Sequence, residues 1–308
     1  MRKGISARIP VIYSDSYYVE IGDHVFPTSK YRLIKKRLDN DLTLKDHVEC
    51  VVPQRAKDEE ILLVHTKEYF DKLKNCALSN EEVFKMELPL SKQIVESSLI
   101  CCGGTILTAR EALTRRAAIH IGGGFHHAFP DHGEGFCALN DIAVSINVLR
   151  DEGLIKKALI IDCDLHQGNG TAYIFRDNRD VFTFSIHQEN NYPFLKPPGD
   201  LDIGLRDYTG DSEYLKHLKD NVPAIINMFR PELILYVAGA DPYKDDQLGK
   251  LMLTKAGLRE RDNFIAMQAF NYSVPLAIVL AGGYSKNRED TVDIHYATIE
   301  ECIKVFTS

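Results

Sequence analysis

The segment IIDCDLHQGNG carries Asp162, Asp164 and His166 at i, i+2 and i+4. In an extended backbone side chains alternate faces, so all three would project to the same side. Two carboxylates and an imidazole on one edge resemble a metal-binding edge. Asp241 closes another apolar run, LILYVAGAD. An Asp/His/Asp set suits a borderline divalent cation with one or two positions left open for water and substrate. The plainer reading is that such aspartates cap the loops and helices that follow. Two of these segments in one chain, with histidines nearby, weigh against it.

A second element is GGGFHHAFPDHGEGFCALND, in which Gly122, Gly123 and Gly124 let the backbone take unusual angles or approach a neighbour closely. His126 and His127 follow at once. A tandem histidine pair is often a surface accident, but after a buried strand it suggests acid–base work. The glycines fit neither GxGxxG nor the P-loop pattern, which argues against a nucleotide loop. Phe136, between Gly135 and Cys137, could wall a channel, although a lone Phe is more often core. The third element, LAGGYSKN, places Tyr284 after Gly282 and Gly283 at a strand end. A hydroxyl there can donate to an oxygen as charge develops on it.

These groups need elements to position them. Six apolar runs read as strands buried on both faces: 9 to 14, 117 to 124, 157 to 166, 181 to 187, 233 to 241 and 275 to 284. Between them, helical spacing runs over 29 to 40, 94 to 115, 139 to 153, 214 to 229, 259 to 270 and 291 to 306, with Pro223 expected to break or kink its segment. The alternation predicts an α/β fold, a doubly wound and mostly parallel sheet flanked by helices, with an N-terminal helical elaboration. In such a sheet functional groups gather beyond the carboxyl ends of the strands. The endings GGGFHH, DCDLH, AGAD and AGGY hold most of the reactive residues.

With 308 residues the length alone would allow two domains. No linker, charge block or repeat divides them, so a single domain over 1 to 308 is expected. Composition is ordinary for a globular chain, with 44% hydrophobic and 26% charged residues, which excludes disordered and repeat-array classes. The formal charge of −7 argues against direct nucleic-acid binding as the main task. Seven cysteines without a CxxC pair fit neither a disulfide framework nor a zinc knuckle, and reduced thiols in a cytoplasmic setting are expected. Arginine and proline interrupt what would be the apolar part of a signal peptide in MRKGISARIPVIYS. No stretch reaches the roughly 18 apolar residues of a membrane span.

Taken in order, GGGFHHAFPDHGEGFCALND, IIDCDLHQGNG, AGADPYKDDQLG and AGGY resemble the zinc-dependent histone deacetylase family of the arginase–deacetylase fold. GGGFHH, QGNG and HVFPTSKY (24 to 31) are most similar to its class IV branch and bacterial relatives. The resemblance implies that Asp164, His166 and Asp241 hold a catalytic zinc, or ferrous iron in the cell, which polarises an amide carbonyl and activates a water. It implies that His127 is the general base and later proton donor, and that His126 steadies charge beside the water. Tyr284 would complete the oxyanion stabilisation, with Asp162 orienting His126 from behind. An acyl-lysine stem would pass Gly135 and Phe136, with Gly282 near the reacting group and Tyr192 or Phe194 on the opposite wall. A structural potassium is implied at Asp162, Asp164, His166, Ser185 and Ile186. One departure concerns His127, behind which better-known classes carry an aspartate and this chain has Asn169. An amide orients an imidazole but raises its pKa less than a carboxylate does, which leaves open which histidine is protonated at rest.

The substrate class stays open at this point. An acyl-lysine protein or peptide is the leading expectation, and an acetylated polyamine or other small acylated amine is the alternative. A flat rim would favour peptide, whereas a narrow acidic mouth would favour a polyamine. A dinuclear ureohydrolase would need further carboxylates where the sequence offers Gln167 and Asn169. A silent acyl-lysine binding module has no support in a chain that keeps the whole reactive set. Oligomeric state and acyl-chain length are not encoded in any motif.

Overall fold

The computed structural model describes residues 8–307. Residues 1–7, over which part of the signal-peptide expectation falls, and residue 308 lie outside the described residues. Eight strands form one sheet: β1 (Ile9–Ile12), β2 (Val48–Val51), β3 (Ala117–His120), β4 (Ala158–Asp162), β5 (Val181–Gln188), β6 (Leu201–Leu205), β7 (Leu233–Val237) and β8 (Leu276–Val279). Their order is β2-β1-β3-β8-β7-β4-β5-β6, and every pairing is parallel.

The six strands expected from apolar runs are present. β1, β3, β4, β7 and β8 are buried at every position, as both-face burial requires. The two strands not anticipated, β2 and β6, are the sheet edges. VECV and LDIGL are only partly covered there, so neither shows a continuous apolar run. Helices flank the sheet, the longest being Lys92–Arg115, Asp211–Phe229 and Arg288–Thr307. Of the break or kink expected at Pro223, the break does not occur, and the helix runs through it. The buried face of Tyr214, Leu215, Leu218, Val222, Ile225, Ile226 and Phe229 holds Asp211–Phe229 continuous. That packing outweighs the roughly 3 kcal/mol that an interior proline costs.

Topology brings the motifs together. The strands that precede the four motifs, β3, β8, β7 and β4, are adjacent in the sheet. Register aligns them as well: His120 pairs with Val279, Val279 with Val237, and Val237 with Asp162. The chain leaves the sheet after that row on all four strands, so the four loops emerge side by side at one edge.

Candidate active site

Asp164, His166 and Asp241 are buried, and their candidate ligand atoms lie within 4.8 Å of one another. They converge by a route other than strand alternation. β4 stops at Asp162, and the residues beyond it are held by side-chain turns. Asp162 Oδ1 accepts from the Asp164 N–H at 3.0 Å, and Asp164 Oδ1 from the His166 N–H at 3.0 Å. Asx turns of this kind redirect the backbone every second residue, which keeps the same i, i+2, i+4 convergence without an extended strand. Asp241 Oδ1 accepts the Leu165 N–H at 3.0 Å and so ties the two ligand loops together. Gly282 belongs to this assembly. Its N–H donates to Asp164 Oδ2 at 2.9 Å, and a Cβ there would stand 2.2 Å from Asp241 Oδ2.

The donor set fits a divalent cation. Asp241 Oδ2 is buried and accepts no hydrogen bond, although His166 Nδ1 stands 3.3 Å away. Burial and the like charge of Asp164 raise the Asp241 pKa to about 6. Burial and Asp241 likewise raise that of Asp246 to about 7. Burial opposes charge on His166, but Asp164 and Asp241 outweigh it and raise its pKa to about 10; even so Asp241 Oδ2 stays without a hydrogen-bond partner, an acceptor that a metal would engage. Among the described residues this cluster is the one group with metal-ligand geometry. Gln167 and Asn169, where a second metal would need carboxylates, are instead engaged with Pro197 and Asp202, and with His127 and Glu134.

His126 and His127 sit at the end of the glycine loop. Gly124 has φ +85°, and a Cβ on it would meet the Ala281 Cβ at 2.5 Å, so no other residue fits there. Asp141 pins the loop by accepting the N–H groups of Gly124 at 3.0 Å and Phe125 at 2.7 Å. Asn140 caps the helix Asp141–Asp151 and donates to the Ala128 carbonyl at 3.1 Å. His126 Nδ1 donates to Asp162 Oδ2 at 2.7 Å, His126 Nε2 meets His127 Nε2 at 3.1 Å, and His127 Nδ1 meets Asn169 Oδ1 at 2.6 Å. Burial opposes charge on His126, but Asp162 and Asp164 outweigh it and raise its pKa to about 9. Burial and the charges of His126 and His166 push His127 well below the ordinary histidine value. His126 is thus the cationic member and His127 the neutral one.

Tyr284 is held by its backbone, whose N–H donates to Asp246 Oδ2 at 2.7 Å while its carbonyl accepts from Gln247 Nε2 at 2.7 Å. Burial beside Asp164 and Asp241 pushes the phenol well above its ordinary pKa, so the hydroxyl keeps its proton for donation. A tunnel of about 180 Å³ leads from the surface past Leu248, Phe136 and Tyr192 to His127, His166 and Tyr284. Tyr192 packs edge-on against the His127 ring, centroids 4.9 Å apart. Gly135 leaves the room for both, since a Cβ there would stand 2.8 Å from the Tyr192 hydroxyl. Phe194, the other wall candidate, is 98% exposed and lies outside the tunnel lining. Ser185 pairs with Asp162 across β4 and β5, and Ile186 follows it.

Several residues that matter here carry no motif of their own. Lys30 is fully buried and donates to the Ala281 carbonyl at 2.5 Å. Burial draws its pKa down to about 8 against the pull of Asp241, Asp164 and Asp246. Arg261, equally buried, donates to the Cys163 and Gly239 carbonyls at 3.2 and 2.7 Å, behind both ligand loops. Glu134, Asp246 and Leu248 were also not anticipated. The Asn-Asp pair at 140 and 141 was legible as a helix start; the buried Lys and Arg in amphipathic helices were not.

Comparison with known proteins agrees with this geometry. A family model described as histone deacetylase domain matches residues 24–299. An uncharacterized protein of Picosynechococcus sp. is 38% identical over 93% of this chain and 95% of its own. Histone deacetylase 2 of Arabidopsis thaliana is 32% identical over 91% of this chain and 76% of its own. The crystal structure of an HDAC homolog from Aquifex aeolicus superposes with a TM-score of 0.80 at 25% identity, covering 96% of this chain and 84% of that one. The sheet is that of the arginase–deacetylase fold. The chain belongs to the histone deacetylase family and is a deacetylase-type hydrolase.

Proposed function

We propose that the protein removes the acetyl group from the ε-amine of lysine in a polypeptide. The observation that carries this reading is the narrow tunnel between Phe136 and Tyr192, which ends on His127, Tyr284 and His166, the last grouped with Asp164 and Asp241. Such a passage accepts one unbranched side chain and keeps the bulk of the substrate outside. Beside its mouth opens a broad groove of about 700 Å³, with Phe84, Phe194 and Leu195 among its lining. An open apolar rim of this kind suits a peptide better than a free polyamine. The exposed Glu87 at the mouth is the feature that would favour a small cationic amine.

Asp164, His166 and Asp241 would hold zinc, and ferrous iron would suit the same donors. Zinc bound there supplies a Lewis acid for the amide carbonyl and lowers the pKa of a water. Every other task falls to the chain. His127, a neutral imidazole with its Nδ1–H on Asn169, accepts the proton of the attacking water at Nε2 and returns it to the leaving lysine amine. His126, held cationic by Asp162, steadies negative charge near the water. The Tyr284 hydroxyl donates to the carbonyl oxygen as it gains charge. Asp162, Asp164, His166, Ser185 and Ile186, at and beyond the end of β4 and on the stretch of β5 beside it, would take a structural potassium. We read residues 1 to 308 as one catalytic domain and the GGGFHH and QGNG segments as marking the class IV branch. The seven free cysteines suit a reducing, cytoplasmic setting.

A space of about 20 Å³ lies against Asp164 and His166, with Phe26, Tyr31, Gly124 and Ala281 also lining it. A site of that size holds about one water, so it takes an acetyl methyl and little more. The test is a series from acetyl to myristoyl on one lysine peptide, with acetylpolyamines assayed alongside. The expected result is highest kcat/KM on acetyl-lysine, falling at least tenfold beyond butyryl. Preference for acetylpolyamine would overturn the peptide reading, and preference for myristoyl the acetyl one.

A further inference from the structure

Glu134 occupies the turn that also carries the tunnel wall. Its N–H donates to the Cys137 carbonyl at 3.0 Å, and Cys137 returns the bond at 2.9 Å. Between them Gly135 and Phe136 both have positive φ, +51° and +65°. The turn aims the Glu134 carboxylate inward, where the side chain is 14% exposed. There Oε1 accepts from Asn169 Nδ2 at 2.7 Å and from the Tyr192 hydroxyl at 3.1 Å. Oε2 faces Lys85 Nζ at 3.5 Å and His132 Nε2 at 3.4 Å.

An ionised carboxylate only accepts hydrogen bonds. The Asn169 amide therefore has one orientation open to it: NH2 toward Glu134 and oxygen toward His127 Nδ1. The reverse would set the amide oxygen against a carboxylate oxygen at 2.7 Å. With the amide oxygen facing it, His127 Nδ1 must carry a hydrogen, which leaves the accepting lone pair on Nε2, beside His126 Nε2 at 3.1 Å. The result is a chain whose donors point outward from His126, to Asp162 on one side and through His127 and Asn169 to Glu134 on the other, with an accepting carboxylate at each end.

We propose that Glu134 is a positioning residue for the hydrolysis: it orients the Asn169 amide, holds His127 as its Nδ1–H tautomer, and pins the Tyr192 wall with the same oxygen. It compensates for the carboxylate missing directly behind His127 by placing one a residue further back. The inference rests on the reading of His127 as the proton acceptor.

The test uses the zinc-loaded protein and four variants. Glu134→Ala removes the acceptor, while Glu134→Gln keeps an acceptor oxygen for Asn169 and Tyr192. Asn169→Asp sets a second carboxylate against Glu134, and Glu134→Gln/Asn169→Asp offers that carboxylate an amide donor instead. Expected results are a kcat loss of tenfold or more in Glu134→Ala, less than threefold in Glu134→Gln, and tenfold or more in Asn169→Asp. The double variant should recover at least fivefold over Asn169→Asp, so that Glu134→Gln changes from mildly harmful to restorative with the partner at 169. A residue that merely supported the fold would give effects that multiply. As a readout independent of turnover, 15N NMR of the ring nitrogens should show His127 as Nδ1–H in the unaltered protein and a tautomer mixture in Glu134→Ala. An unchanged tautomer in Glu134→Ala, or a double variant equal to the product of the singles, would overturn the proposal. His127→Gln separates the two readings: full turnover in that variant removes His127 from the mechanism, whereas the tautomer result judges Glu134 alone.

Discussion

At the scale of single residues, the site works by giving chemically similar side chains different surroundings. His126 and His127 are adjacent in sequence, yet one has two carboxylates within reach and the other an amide. That difference separates a standing cation from a neutral imidazole. Tyr284 is separable in the same way, because its ring packs on Phe136 and Phe26 while its hydroxyl is the only polar atom removed by Tyr284→Phe. That variant should lose about 10²- to 10³-fold in kcat on an acetyl-lysine peptide, with its melting temperature and bound metal unchanged. Gly282→Ala should fail differently. Its added methyl would enter the space of Asp241 and Asp164, so metal content measured by mass spectrometry should drop well below one ion per chain before turnover is considered.

At the scale of elements, the loops that carry these residues are clamped by buried polar groups from neighbouring helices. His120, at the end of β3, meets the Tyr17 hydroxyl at 2.7 Å and Thr105 Oγ1 at 3.0 Å, and Thr105 donates to Asp141 at 2.5 Å. His65 accepts the Asn140 N–H at 3.0 Å. Burial lowers the pKa of His65 to about 4 and that of His120 to about 3. An unfolded histidine titrates near 6.5, so both contributions are complete above that pH and are lost as pH falls from about 6.5 toward 4 and 3. At about 1.4 kcal/mol per pKa unit these are worth on the order of 3 kcal/mol for His65 and about 5 kcal/mol for His120. Urea midpoints measured from pH 7.5 to 4.5 should therefore decline steadily below pH 6.5. Replacing His65 by Gln should lower the midpoint at pH 7.5 and flatten its slope on the acid side.

For the whole molecule, the parallel sheet gathers four carboxyl groups, Asp162, Asp164, Asp241 and Asp246, at one edge and answers them with Lys30, His126 and His166. A cation held by Asp164, His166 and Asp241, as proposed, would add to the fold's stability. Removing it with a chelator should lower the melting temperature by several degrees, and zinc should restore it in a concentration-dependent way, since a ligand bound only by the folded state stabilises by mass action. No helix among the described residues is long and apolar enough to cross a membrane.

Much of this was written in the linear order of residues. The apolar runs of β1, β3, β4, β5, β7 and β8 and the reactive groups that follow four of them are local patterns, because burial on both faces leaves a continuous signature and strand ends leave a glycine or a carboxylate. β2 and β6 were hidden because a sheet edge buries too little to mark itself. Tertiary structure alone decided which strands became neighbours, and therefore that Asp241 would reach Leu165 across 76 positions of sequence. It also decided that Tyr192 rather than Phe194 would wall the tunnel, and that Lys30, Arg261 and Glu134 would stand behind the site. A charged side chain in a helix or turn looks the same in sequence whether it meets water or a buried carbonyl, since its role comes from partners that only folding brings within hydrogen-bond reach.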